Sequence, residues 1–227
     1  MKNEMVRVKI CGITNTEDAR VAIDTGADML GFIFYPPSPR YITLECAREI
    51  IRVTRQSSTV TRCVGVFVNE PLDHVRVVTE TIGLDYVQLH GKETVETVAA
   101  LAPRAFKSLQ PRDADDANVL VEKYRGAING NQPAFIVDGQ PQKLPGGNGT
   151  RADWTIAHEI AREFPILLAG GLNAENVVDA IRFVQPWGVD VSSGVERAPG
   201  LKDHDKVRAF VKRAKSWKDE DESAGSK

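Results

Sequence analysis

The 227-residue chain has the length of one barrel-sized domain, and its 29 basic and 31 acidic side chains give a formal net charge of -2. Because the charge is nearly balanced, the composition gives no reason to expect nucleic acid or an anionic membrane as a partner. The three cysteines, Cys11, Cys46 and Cys63, show no CxxC spacing, and the four histidines are scattered. We therefore expect neither a disulfide framework nor a metal site.

We expect no targeting or membrane-spanning segment. The N-terminal residues contain no apolar core of a secretory signal, and no stretch approaches membrane-spanning length. Together with the unpaired cysteines, this indicates a cytoplasmic protein. Residues 218–227 are polar, and we expect a disordered tail there, following a single catalytic domain that spans residues 1–217.

Short apolar runs alternate with helical patterns along the whole chain. Strands are predicted at residues 6–11, 29–34, 62–68, 85–89, 105–109, 134–137, 166–169 and 188–191. Helices are predicted from 14 or 15 to Gly26, from 43–45 to about 56, and at 72–82, 93–101, 114–124, 154–163, 174–184 and 203–217.

Eight strand–helix units of roughly 25–30 residues predict a single (β/α)8 TIM barrel. A doubly wound open sheet is the competing architecture. It would usually carry a GxGxxG turn after the first strand, and Gly12-Ile13-Thr14 does not match that pattern.

The last two units predict a phosphate site. The predicted seventh strand ends at Gly170-Gly171, with Asn173 as the cap of the next helix, and the eighth strand ends at Ser192-Ser193-Gly194. Backbone N–H groups of two such neighbouring turns can converge on one anion, and barrels commonly bind phosphate after their last two strands.

Other polar residues also follow predicted strands and should meet at the same mouth of the barrel. Cys11 and Asp138 suggest a base and an acid, provided that the thiol pKa is lowered, for which Lys9 is a candidate, and that burial keeps the carboxyl protonated. Arg40 could bind a substrate carboxylate, and His90 could support the site without carrying protons. The remaining residues at strand ends are Asn69 and the Ser192-Ser193 turn.

Several of these residues also fit a structural explanation. Cys11 could be a small core residue, Asp138 a turn residue and Arg40 a solvated surface side chain. Lys107 lies inside the fifth predicted strand, so a Schiff-base role has to be considered for it.

Seven segments of the chain resemble phosphoribosylanthranilate isomerase, a family of tryptophan biosynthesis. They lie at residues 9–14 (KICGIT), 31–35 (GFIFY), 38–41 (SPRY), 65–69 (GVFVN), 87–91 (VQLHG), 170–173 (GGLN) and 189–196 (VDVSSGVE). The resemblance extends from residue 6 to about 210. It implies a TIM barrel of the ribulose-phosphate-binding type that acts on a small-molecule substrate without a cofactor, as a monomer or homodimer.

The resemblance also implies a reaction and a role for each residue. The reaction is the Amadori rearrangement of N-(5-phospho-β-D-ribosyl)anthranilate to 1-(2-carboxyphenylamino)-1-deoxy-D-ribulose 5-phosphate. Asp138 would be the general acid, Cys11 the general base and Arg40 the receptor of the anthranilate carboxylate. Asp190 would lie near the sugar hydroxyls, and Lys9 and His90 would also contact substrate. The phosphate would bind the backbone at Gly170, Gly171, Ser192, Ser193 and Gly194.

Three rival functions fit part of the same pattern. A histidine-pathway aminoaldose isomerase or a bifunctional relative would use paired aspartates, whereas Cys11 occupies the first-strand position. Indole-glycerol-phosphate synthase needs a set of catalytic lysines that the chain does not supply. A barrel that only binds a sugar phosphate would leave Cys11, Asp138 and Arg40 unexplained. One departure from the family pattern is Ala152, where an aromatic residue is usual, so closure of the glycine-rich sixth loop could be weaker.

Overall fold

The computed structural model describes residues 5–56, 60–128, 130, 133–139 and 152–217. Eight parallel strands form a closed barrel in which each strand pairs with the next and the last pairs with the first. The strands are β1 (Arg7–Cys11), β2 (Met29–Ile33), β3 (Arg62–Phe67), β4 (Tyr86–Leu89), β5 (Ala105–Leu109), β6 (Phe135–Val137), β7 (Ile166–Leu168) and β8 (Gly188–Val191). The predicted TIM barrel is confirmed, and an open doubly wound sheet is excluded.

A helix follows each barrel strand along the chain. The helices are α1 (Thr16–Thr25), α2 (Leu44–Gln56), α3 (Leu72–Ile82), α4 (Val95–Leu101), α5 (Ala114–Arg125), α6 (Trp154–Ala161), α7 (Val177–Val184) and α8 (His204–Ser216). Asn15 caps α1 by accepting a hydrogen bond from the Asp18 N–H, and Gly26 ends it in the left-handed region, as the sequence predicts. None of the helices in the described ranges is long and apolar enough to cross a membrane.

Two apolar cores hold the barrel together. The larger core lies between the strands and the surrounding helices. The smaller core fills the barrel interior with residues from alternate strand positions, Met29, Val64, Phe106, Ile136, Leu167 and Ala169. Side chains two residues further along a parallel strand point to the same face. The residues after this inner core therefore form the floor of the mouth at the carboxyl ends of the strands.

The structure differs from the sequence prediction around α7. Asn173 does not cap this helix directly, because its Oδ1 accepts hydrogen bonds from the N–H groups of Glu175 and Asn176, each at 3.0 Å. These bonds stabilise a separate turn, and α7 begins only at Val177. The local bonding of an asparagine side chain competes with helix formation in this way.

A hairpin follows β8 that the sequence analysis does not predict. A 3-10 turn (Ser193–Val195) leads into two short antiparallel strands, β9 (Glu196–Ala198) and β10 (Leu201–Lys202). Strands of three and two residues are too short to produce a readable alternation. The predicted polar tail, 218–227, lies outside the described residues.

Candidate active site

The first and last strands place an ion pair in the barrel interior. Lys9 of β1 lies directly opposite Asp190 of β8, and its Nζ donates to Oδ1 at 2.8 Å. Lys9 is fully buried. Burial alone would lower the pKa of Lys9, but Asp190 and Cys11 beside it leave that pKa raised. The ammonium therefore stays charged at the base of the mouth.

Cys11 is two residues beyond Lys9, so its thiol lies on the same inner face of β1. Burial raises the pKa of this thiol, and the Lys9 ammonium opposes the rise. The thiolate base predicted from the sequence requires a lowered pKa, whereas the pKa of Cys11 in the structure is raised. The lysine acts in the expected direction, but desolvation is the larger effect.

Gly31 provides the space for the thiol and the ammonium. It lies beside Cys11 in the register of β1 and β2. A Cβ atom on Gly31 would lie 2.8 Å from Cys11 Sγ and 3.0 Å from Lys9 Nζ. The missing side chain on the neighbouring strand is thus what allows both groups to occupy the interior.

Asp138 follows β6 and retains 27% of its side-chain surface exposed. Its Oδ1 accepts a hydrogen bond from the Gly139 N–H at 2.7 Å. Burial, and after it the negative charge of Asp190, raises the pKa of Asp138 to about 7. A substantial fraction of this carboxyl is therefore protonated near neutral pH, as a general acid requires.

His90 follows β4 and lies between two glutamine side chains. Its Nδ1 is 3.0 Å from Gln88 Nε2, and its Nε2 is 3.1 Å from Gln110 Nε2. The same Nε2 is 3.8 Å from Asp138 Oδ2. Burial, followed by the positive charge of Lys107, lowers the pKa of His90 to about 4. The imidazole is therefore neutral at physiological pH and acts near Asp138 as a hydrogen-bonding group.

Arg40 is buried, with 8% of its surface exposed, and is not a solvated surface arginine. Its Nε and Nη2 donate to the two carboxylate oxygens of Glu196 at 2.8 and 2.7 Å. This pair occupies one edge of the guanidinium, and Nη1 donates to no residue of the described ranges. Gly12, with a φ of 74°, makes room for the side chain, because a Cβ there would lie 2.7 Å from Arg40 Cδ.

The turns after β7 and β8 touch each other. Gly170 and Gly171 have φ values of 83° and 65°, which favour glycine. Gly194 packs against the first turn so closely that a Cβ would collide with the carbonyl of Leu172. The hydroxyl of Ser192 is buried and makes no hydrogen bond to any described residue. The two turns are therefore adjacent, as the sequence predicts, and phosphate binding by their N–H groups stays a prediction.

Lys107 has a structural role. Its Nζ donates to the carbonyls of Leu89, Gly91 and Ser108 at 2.8–3.0 Å and forms an ion pair with Glu93 at 3.1 Å. All of its donors are used by these acceptors. The ammonium links β4 to β5, and this bonding disfavours the Schiff-base role considered from the sequence.

Sequence reasoning missed four polar residues at the mouth. Two of them are the glutamines around His90, and the other two, Glu196 and Lys202, belong to the hairpin after β8. Gln88 and Gln110 follow the inward alternation of β4 and β5, so this pattern could have revealed them. The hairpin residues lie beyond the last barrel strand, where no periodic signal indicates which way a side chain points.

The remaining site predictions concern the sixth loop and metal binding. Residues 140–151 lie outside the described ranges. Ala152 is buried beside Gly170, and a Cβ atom added to Gly170 would lie 3.0 Å from the backbone nitrogen of Ala152. Within the described ranges, no three side chains of metal-binding types come together.

Several predicted residues share one electrostatic environment. The charges of Lys9 and Asp190 act on both Cys11 and Asp138, and His90 lies within 3.8 Å of the Asp138 carboxylate. The mouth therefore combines a carboxylic acid of raised pKa, a thiol beside an ammonium, a buried guanidinium and two adjacent glycine turns. Proton transfer on a substrate that carries negative charge at both ends is the chemistry that suits this arrangement.

Comparisons with known proteins identify the family to which the chain is similar. A family profile for N-(5'-phosphoribosyl)anthranilate isomerase matches residues 8–213. The isomerase of Pelobacter propionicus is 45% identical over 216 residues, which cover 95% of this chain and 99% of that protein.

Solved structures agree with the sequence comparison. The Thermotoga maritima isomerase aligns with a TM-score of 0.82 at 41% identity, over 94% of this chain and 100% of that one. Monomers generated from the dimeric Thermotoga maritima enzyme align with a TM-score of 0.80 at 40% identity, with the same coverage. A phosphoribosylanthranilate isomerase in complex with reduced 1-(o-carboxyphenylamino)-1-deoxyribulose 5-phosphate gives the same TM-score, identity and coverage.

These matches span nearly the whole barrel and include the strand ends that form the mouth. They favour the isomerase over the histidine-pathway enzymes, indole-glycerol-phosphate synthase and a barrel that only binds. The chain belongs to the phosphoribosylanthranilate isomerase family, and its reaction is the isomerisation of phosphoribosylanthranilate in tryptophan biosynthesis.

Proposed function

We propose that Asp138 and Cys11 carry out this isomerisation as general acid and general base. The observation that carries the proposal is the pKa of about 7 for a carboxyl at the end of β6, in the same mouth as a thiol beside the Lys9 ammonium. The substrate is N-(5-phospho-β-D-ribosyl)anthranilate, and the rearrangement needs one group that donates a proton and one that accepts one.

Ring opening is the first step. Protonated Asp138 donates to the furanose ring oxygen as the bond from that oxygen to C1′ breaks. The anilino nitrogen supplies the electron pair, and a protonated Schiff base forms. The raised pKa of Asp138 favours this step, because the carboxyl holds a proton to give at neutral pH.

Proton abstraction is the second step. The Cys11 thiolate removes the C2′ proton, which gives a neutral enolamine. The enolamine becomes the ketone when C1′ gains a proton and the C2′ hydroxyl loses one. Protons given and taken balance over the whole reaction, so this chemistry requires neither a redox cofactor nor a Lewis acid. We expect turnover to be unchanged by a chelator.

The two anionic ends of the substrate bind at separate places. We assign the anthranilate carboxylate to Arg40, whose Nη1 side faces away from the bidentate bond to Glu196. We assign the phosphate to the N–H groups of Gly170, Gly171 and Ser192–Gly194. The Ser192 hydroxyl supports this assignment, since it is buried and makes no hydrogen bond to the described residues.

Three further residues form the part of the site around the sugar in this proposal. Asp190 accepts hydrogen bonds from the ribose hydroxyls, and Lys9 fixes its carboxylate at 2.8 Å. Lys9 also stabilises the thiolate of Cys11. Neutral His90 donates or accepts one hydrogen bond near Asp138, from which it is 3.8 Å distant.

The test of these roles is turnover of the two variants Cys11→Ala and Asp138→Asn. We expect each to lower kcat by at least about a hundredfold, the lower end for a positioned acid or base. Loss of the fluorescent anthranilate substrate measures the rate, and circular dichroism verifies the fold. Near-normal turnover in either variant would remove that residue from the mechanism. Cys46→Ala is the matched control, because that thiol is exposed on α2.

The proposal extends to the assembly and the location of the protein. We propose a monomer or homodimer in the cytoplasm. The description of the Thermotoga maritima relative as dimeric supports the homodimer. Light scattering after size-exclusion chromatography distinguishes the two, and a larger oligomer would contradict both.

A further inference from the structure

The hairpin β9–β10 places one buried lysine at the carboxyl end of the barrel. Lys202 is 1% exposed, and its Nζ donates to the Cys11 carbonyl at 2.6 Å and to the Ser192 carbonyl at 3.2 Å. It also binds Glu196 Oε1 at 3.0 Å. One ammonium therefore joins the end of β1 to the turn after β8.

Glu196 has several partners of its own. Besides Lys202, it accepts two hydrogen bonds from Arg40 and a longer one, 3.3 Å, from the Gly200 N–H. Its side chain is 5% exposed. A carboxylate with this many donors is held in one orientation, and the guanidinium it binds is held with it.

The hairpin itself is fixed at both ends. Asp18 of α1 accepts a hydrogen bond from the Lys202 N–H at 2.9 Å and one from the imidazole of His204, also at 2.9 Å, when that ring nitrogen is protonated. Thr14 donates its hydroxyl proton to the Gly200 carbonyl at 2.5 Å. These contacts join the hairpin to the loop after β1 and to α1, so the backbone around Lys202 is held in place.

We propose that Glu196 and Lys202 are positioning residues that hold the base, the phosphate turn and the carboxylate receptor at fixed separations. Neither has to touch the substrate. Lys202 acts on Cys11 and on the Ser192 turn through their carbonyls, and Glu196 acts on Arg40 through its guanidinium. The inference rests on the proposed roles of Cys11, Arg40 and the Ser192 turn. It adds which residues set the distances between them.

The charges around Cys11 are compatible with this role. Lys9 of β1, Asp190 of β8, Lys202 of β10 and Arg40 of the loop after β2 all act on the thiol or respond to it. Burial lowers the pKa of Lys202, and the Glu196 carboxylate opposes this shift. With Lys202 protonated, the cluster of Arg40, Lys202 and Glu196 carries one net positive charge. It therefore favours a thiolate and an anionic substrate while its own carboxylate stays paired.

The first test is Lys202→Met, which keeps an unbranched side chain that is one atom shorter and removes the ammonium. We expect kcat to fall at least about tenfold, since each lost hydrogen bond to a charged group is worth roughly that factor or more. Isothermal titration with inorganic phosphate should show a severalfold weaker affinity, whereas titration with anthranilate should change little. Both are measured at a temperature where circular dichroism shows a folded protein.

The second test is Glu196→Gln, which keeps the shape of the side chain and removes its charge. Here we expect the reverse pattern: a weaker affinity for anthranilate and an affinity for inorganic phosphate close to that of the wild type. Both variants alter the bond between Lys202 and Glu196. Beyond it, Lys202→Met removes the bonds to the Cys11 and Ser192 carbonyls, and Glu196→Gln weakens the pair with Arg40. One variant therefore still tests the proposal if the other does not fold.

Lys206→Met is the matched control, because among the described residues the Lys206 ammonium donates only to the backbone carbonyl of Glu196, at 3.1 Å. Equal loss of both affinities in each variant would show general loosening and overturn the proposal, as would unchanged kcat and affinities. If Cys11→Ala proved active, the proposed base would fall, but the two affinity patterns would still decide whether the hairpin positions the anion sites.

Discussion

Asp138 and Cys11 both have raised pKa values, and this determines how the pair divides its protons. Burial is the largest cause for each residue. The active form needs a protonated Asp138 and an ionised Cys11, which amounts to one proton on the pair. The thiol holds a proton more tightly than the carboxyl. When the pair carries one proton, that proton is therefore mostly on Cys11, and the active form with the proton on Asp138 is the minor one.

The pH dependence of kcat/KM should therefore be bell-shaped, with its maximum on the alkaline side of neutrality. The acidic limb arises near pH 7 from the pair's first ionisation, and the alkaline limb lies above the ordinary thiol pKa of about 8.5. Initial rates between pH 5 and 10 measure the profile. A maximum at or below pH 6 would contradict the proton assignment.

Arg40 is shared between Glu196 and, in our proposal, the substrate. Replacing it with alanine should raise KM at least about tenfold with a smaller effect on kcat, because a charge-assisted bond to the carboxylate is lost. Steady-state kinetics measure the two constants separately. Arg125→Ala is a suitable control, as its ion pairs with Glu122 and Glu163 lie on the surface. An unchanged KM would place the carboxylate elsewhere.

At the scale of the elements, the strand β2 makes room for the catalytic thiol because residue 31 is a glycine without a side chain. Gly31→Ala should lower kcat by roughly ten- to hundredfold, because its Cβ would lie 2.8 Å from Cys11 Sγ and displace the thiol from the Lys9 ammonium. The turnover assay measures the effect, and circular dichroism excludes unfolding. Gly126→Ala is the control, since a Cβ there meets nothing within 4 Å. A kcat within about twofold of the wild type would refute this function of Gly31.

The sequence predicted most elements because their signals are local. Apolar runs with β-branched residues identified all eight barrel strands, and capping residues such as Asn15 and Gly26 located the ends of α1. The start of α7 was misplaced because Asn173 bonds to its own turn. The hairpin of Glu196 and Lys202 was missed because its stability comes from contacts with residues about 180 positions earlier in the chain.

The site could be predicted in part for the same reason. Position at a strand end indicated Cys11, Asp138 and His90 as candidates. It did not reveal that Arg40 is already bound to Glu196, nor that desolvation dominates the pKa of Cys11. Both depend on how deeply a side chain is buried by distant segments, which no local pattern encodes.

At the scale of the whole molecule, Asp138 makes the stability of the fold depend on pH. Its pKa is about 7 in the folded protein and near 4 in the unfolded chain. Below pH 4 the carboxyl is protonated in both states. Between these values only the folded state retains the proton, so the stabilisation is full at low pH and is lost as the pH rises through 7.

Asp138→Asn should therefore gain stability relative to the wild type as the pH increases. Asparagine keeps the acceptor for the Gly139 N–H and never ionises. We expect the difference in the free energy of unfolding to shift in favour of the variant by on the order of 2 kcal/mol between pH 4 and 8. Urea titrations at several pH values measure it. A constant difference would show that Asp138 titrates normally.

The pairing of Lys9 with Asp190 has a consequence for synthesis on the ribosome. The two residues are 181 positions apart, on the first and last strands of the barrel. A nascent chain exposes the lysine 181 residues before it acquires the aspartate. Until then, the developing interior contains an ammonium whose counter-ion has not been made, and closing over it would be costly. We therefore expect the barrel to close over this ammonium only after β8 has been made, and translation products that end before Asp190 should be inactive.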